Sequence, residues 1–84
     1  MPTFEHLDCH DNFENHQAGA GRPVIDCEEA IEAWYGRRLI LRNRKTGVAP
    51  YLFLGRTLSG RRITVVILAT DDPLSWLAYT AWDT

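Results

Sequence analysis

Residues 51–70, YLFLGRTLSGRRITVVILAT, constrain the fold more than any other stretch of the chain. Residues 51–54 and 63–68 are unbroken apolar or β-branched runs, the composition of strands covered on both faces or nearly so. The polar octet between them, GRTLSGRR, places Ser59-Gly60 at a turn with Arg56, Arg61 and Arg62 beside it. The reading is a central β-hairpin. The question it raises is whether those arginines meet phosphate or only keep a strand end in water.

The flanking sequence predicts what surrounds the hairpin. Residues 4–7 alternate apolar and polar and fit a short strand. Asp8 can cap a helix to about residue 18, with Asp11 in its first turn and Cys9, Phe13 and His16 on one face. Gly19-Ala20-Gly21 would end it. Asp26 followed three residues later by Glu29 gives a capping-box start to a second helix. Cys27, Ala30, Ile31 and Trp34 form its core-facing stripe, with Glu28, Glu29 and Glu32 largely off it, and Gly36 closes it. Leu39 begins a strand to Arg42, Lys45-Thr46-Gly47 turns, and Pro50 precedes the central hairpin. Asp71-Asp72-Pro73 then leads into a last strand, residues 75–82, with Trp76, Ala78, Thr80 and Trp82 facing one way. The predicted fold is α+β: one domain over residues 1–84, a short N-terminal strand and two helices packed on a four-stranded antiparallel meander.

With 84 residues, 45% hydrophobic, such a domain buries only ~60% of its unfolded surface, which leaves apolar area for a partner. No apolar run approaches the ~20 residues of a membrane span. Two cysteines, Cys9 and Cys27, make at most one bridge; with no signal-peptide pattern at the amino end, the expectation is a reduced, cytoplasmic protein.

Charge is sorted into blocks beneath a net value of -2. Residues 1–36 carry eight acids and one base, residues 37–62 carry eight bases and no acid, and the last 22 residues carry three acids. A positive patch can therefore exist on an acidic protein. The alternative is that the bases neutralise the acidic helices beside them.

Four side chains at the amino end, His6, Cys9, His10 and His16, include ligand types suited to zinc. No second ligand pair follows, only the distant Cys27, so no metal site is expected. Nucleotide-binding, nucleophile-elbow and zincin patterns are absent, and no cofactor is expected. For nucleic acid, Arg42, Arg44, Lys45, Arg56, Arg61 and Arg62 can hold phosphate, while Tyr51, Trp76, Tyr79 and Trp82 offer stacking faces, most of them expected in the core. Cleaving RNA without a metal also needs proton transfer, for which arginine is a poor base; His16, Lys45, a tyrosine or a carboxylate would have to serve.

The run EEAIEA, a basic strand, FLGRTLSGRRITVVI and a closing TAWD resembles the BrnT-like toxins of the RelE superfamily, and FEHLD is similar to that family's opening strand. The resemblance implies a RelE/BrnT-like fold and a metal-independent endoribonuclease that inhibits translation. It also implies a partner, a DNA-binding BrnA-like antitoxin, with RNA, free or ribosome-bound, as substrate and a dimer or toxin–antitoxin hetero-oligomer as the assembly. Arg56, Arg61 and His16 would be catalytic, with Arg42, Arg44, Lys45 and Arg62 binding RNA. The chain departs from the family at Ala20, at Ala49-Pro50 and at Trp82, where the relatives carry polar groups. A non-catalytic module binding RNA or protein through the same patch is the alternative.

Overall fold

A computed structural model of the chain describes residues 3–11, 13, 25–43 and 50–84. Five strands and one helix follow in the order β1 (His6–Cys9), α1 (Cys27–Tyr35), β2 (Leu39–Arg42), β3 (Tyr51–Arg56), β4 (Arg62–Ala69) and β5 (Ser75–Asp83). They build a single sheet in the order β1-β5-β4-β3-β2. β2 to β5 form the expected antiparallel meander, but β1 joins it alongside β5 in parallel, with Leu7 opposite Trp76 and Cys9 opposite Ala78. The sheet is therefore five-stranded and mixed, not four-stranded and antiparallel.

The two-helix expectation is corrected at the same place. Asp8 and Cys9 are strand residues, so no helix starts at Asp8. Leu7 enters the core beside Trp76, and β1 satisfies the outer backbone of β5, a gain in burial and pairing that outweighs a local capping preference. Residues 12 and 14–24, which include most of the expected first helix and His16, lie outside the described residues.

The remaining helix obeys its sequence. Asp26 accepts from the Glu29 amide at 2.8 Å while Glu29 returns a bond to the Asp26 amide at 3.3 Å, a complete capping box. Ala30, Ala33 and Trp34 are buried, with Ile31 packed against them. Trp34 meets Phe53 edge to face, centroids 5.2 Å apart. Gly55 makes the close approach possible, because a Cβ there would stand 2.9 Å from the Ala33 carbonyl oxygen and 3.0 Å from the Ala33 Cβ. Arg38 closes the far end of the helix: its guanidinium lies 4.2 Å over the Trp34 ring and donates to the Trp34 carbonyl at 2.7 Å and to that of Phe4 at 2.6 Å.

The N-terminal segment is held by indoles, Trp34 Nε1 donating to the Glu5 carbonyl and Trp76 Nε1 to that of Thr3. Cys9 and Cys27 form a disulfide between β1 and α1, so the expected reduced pair is instead bridged.

β5 departs from simple alternation. Val66 pairs with Thr80 and Ile67 with Ala78, which leaves Tyr79 as an extra residue. This bulge changes the facing by one position. Trp76, Ala78 and Ala81 lie in the core, whereas Thr80 and Trp82 point to the other face, against the expected single row of Trp76, Ala78, Thr80 and Trp82. No described helix is long and apolar enough to cross a membrane.

Candidate anion-binding site

The hairpin between β3 and β4 is fixed by its own side chains. Thr57 donates its amide to the Arg61 carbonyl at 2.9 Å, and Gly60, at φ 90°, donates to the Thr57 carbonyl at 2.9 Å. Glycine takes that conformation without strain. The Thr57 hydroxyl accepts from the Arg61 amide at 3.1 Å and bonds the Ser59 hydroxyl at 2.9 Å. Leu58 donates its amide to Glu32 of α1 at 3.1 Å, which anchors the turn to the helix. The arginines flanking this turn are therefore carried on a braced frame.

Their fates differ. Arg61 grips Asp83 with two bonds, Nε to Oδ1 at 2.6 Å and Nη2 to Oδ2 at 3.1 Å, and reaches Glu29 at 3.5 Å. Hydrogen bonding to Asp83 raises the Arg61 pKa, with the Asp83 and Glu29 charges adding to it against a partial desolvation cost. A raised folded-state value for a base stabilises the fold at every pH below the unfolded guanidinium value and is lost only in strong alkali, so the clamp holds throughout the physiological range. Arg61 joins the end of β5, the hairpin and the first turn of α1 through carboxylates. That is the neutralising role weighed for the basic block.

Arg56 and Arg62 sit directly opposite one another on β3 and β4. With Arg37, Gly55 and Thr57 they line a recess of about 500 Å³. All three arginines are exposed, and none has a carboxylate partner among the described residues. Like charges directly opposite on neighbouring strands are mildly destabilising, and an anion between them would relieve that repulsion. Guanidinium groups suit phosphate because their planar fork gives two parallel donors.

The expected binding set does not assemble as one patch. Arg62 and Arg56 come together, but Arg42 lies at the opposite end of β2, paired with Tyr51 and 6.0 Å from its ring centroid. Arg44 and Lys45, like His16, lie outside the described residues. Arg37 was not among the expected phosphate contacts. Its signal was pairing: Leu39 opposite Leu54 carries Arg37 in line with Arg56. Of the candidate stacking rings, Trp76 is buried, Tyr51 and Tyr79 are half-buried, and Trp82 is exposed. Cys9 is committed to its disulfide, and among the described residues no three histidine, cysteine or acidic side chains gather as metal ligands do.

No family model matches the chain, and neither a curated protein nor a solved structure matches it significantly.

Proposed function

We propose that the protein binds RNA through the recess formed by Arg37, Arg56 and Arg62. The supporting observation is that three guanidinium groups without carboxylate partners among the described residues share one recess, while Arg61 beside them is neutralised by Asp83 and Glu29. RNA as the ligand accords with a cytoplasmic protein. The Cys9–Cys27 bridge would there face a reducing medium, so binding is measured with and without reductant.

The test is equilibrium binding of a fluorescent single-stranded RNA over a salt series. Three phosphate contacts give a slope of log affinity against log salt near about -2. Replacing Arg56 or Arg62 with alanine should weaken binding about tenfold at low salt and flatten that slope, at about 1.4 kcal/mol per charge-assisted contact. Arg42→Ala, at the far end of the sheet, should change little. Absence of binding at low salt, or equal loss from all three variants, would reject the site.

Cleavage is the second reading, that of a translation-inhibiting toxin held by an antitoxin, as the sequence resemblance implies. Its support from the structure is the pairing of Arg56 with Arg62, since adjacent guanidinium groups stabilise charge developing at phosphorus. The recess is lined by arginine, glycine and threonine, none of them a proton-transfer group at neutral pH. A nuclease would therefore draw its base from elsewhere, and His16 and Lys45 are the candidates. The same RNA, run on a denaturing gel after incubation with the protein, separates the readings: shortened product establishes cleavage, and intact RNA leaves binding alone.

A further inference from the structure

α1 covers one face of the sheet, through Phe53, Gly55, Ile63 and Val65. Nothing among the described residues covers the other. Strand alternation and the β5 bulge place Leu39, Leu41, Leu52, Leu54 and Trp82 on that face, around the buried Thr64 and Val66 of β4. Leu39 is 57% exposed, and Leu41 and Trp82 are each 42% exposed. Contiguous apolar surface of this kind on a small domain marks an interaction site.

The charges around this face are polarised along the strands. Arg56 and Arg62 stand at one end, with Arg37 beside them. At the other end Asp8 lies on the same face, opposite Leu77, and the exposed β4–β5 turn carries Asp71 and Asp72, while Arg42, also at that end, points to the α1 side with its partner Tyr51. We infer that this face packs against the same face of a second copy of the chain. A two-fold axis in the plane of the interface and perpendicular to the strands lays β4 of one protomer over β4 of the other with direction reversed. Each arginine end then meets the other protomer's acidic end, twice by symmetry, and the leucines meet in the centre. An axis parallel to the strands would bring the two arginine rows together and is disfavoured by repulsion. Five strands at about 4.8 Å and six residues at about 3.3 Å give a face of about 24 by 20 Å. At about 480 Å² this is smaller than the ~800 Å² each partner contributes to a standard interface, so the dimer is expected to be weak and concentration-dependent.

This inference goes beyond RNA binding and is measured without RNA. The full chain, with its disulfide intact, is examined by sedimentation equilibrium from micromolar to about 100 µM, and a species of twice the chain mass is expected. Leu41→Glu and Trp82→Glu change exposed side chains, so the fold should persist by circular dichroism while association weakens at least tenfold. Arg62→Asp should also weaken association, and Arg62→Asp combined with Asp71→Arg should restore it. A monomer at the highest concentration, or a dimer indifferent to all of these variants, would overturn the inference. The arginines then serve both ligands, so an RNA that binds should shift the dimer toward monomer. Loss of RNA binding alone would leave the self-association result standing.

Discussion

Arg61 and Arg62 are neighbours in sequence and opposite in role. Alternation along β4 sends Arg62 to the open face beside Arg56, while Arg61, at the mouth of the strand, turns to Asp83 and Glu29. The two substitutions should separate cleanly. Arg61→Ala removes a bidentate, partly exposed ion pair and leaves two carboxylates facing each other, so it should lower stability by about 1 kcal/mol and the melting temperature by about 4–8 °C. Arg62→Ala removes a repulsion from Arg56 and should leave stability unchanged or slightly higher, while weakening RNA binding. Thermal unfolding of both proteins beside the binding measurement checks the pair. A large stability loss for Arg62→Ala with none for Arg61→Ala would reverse the assignment.

At the level of elements, the hardest constraint lies where α1 crosses β3. Gly55→Ala drives a Cβ onto the Ala33 backbone and must part the helix from the sheet. Overpacking of this kind costs about 1–3 kcal/mol, and because Gly55 also lines the arginine recess, stability and RNA affinity should fall together. Unfolding and binding of that one variant make the measurement, and an unchanged melting temperature would show that the contact yields freely. Elements written in local pattern were legible beforehand: the Asp26–Glu29 capping box, the helix stripe and the four meander strands fell within a residue or two of where the sequence put them. The features missed are those set by distant partners. A short strand was expected at residues 4–7, but its run through Asp8 and Cys9 and its parallel place beside β5 depend on the edge β5 offers, and Asp8 alone reads equally well as a cap. The bulge at Tyr79 depends on the register against Val66 and Ile67, which no alternation within β5 reveals. The site follows the same rule. Arg56 and Arg62 were found through their hairpin, whereas the commitment of Arg61 to Asp83 crosses 22 residues and needed the fold.

On the scale of the whole molecule, the described residues form a sheet covered on one face by one short helix, a small core beside which the bridge between Cys9 and Cys27 becomes correspondingly important. It ties the edge strand β1 to the first residue of α1 across a sequence separation of 18. Closing a loop of that length removes enough freedom from the unfolded chain to be worth about 3 kcal/mol. Domains of this size have total stabilities of about 5–15 kcal/mol, so the bridge supplies a substantial fraction. β1 is the element most exposed to its loss, since it is only four residues long, pairs along one side and carries its core contact through Leu7. Cys9→Ser with Cys27→Ser, or reduction of the natural chain, should therefore lower the melting temperature by about 12–24 °C. Amide exchange should quicken first at His6 to Cys9, before the β3–β4 hairpin, whose strands are zipped on both sides by neighbours. Uniform loss of protection across the sheet would show that β1 is integral to one cooperative unit. Loss confined to β1 would show a meander that stands by itself, with its arginine recess intact and its RNA affinity unchanged in reductant.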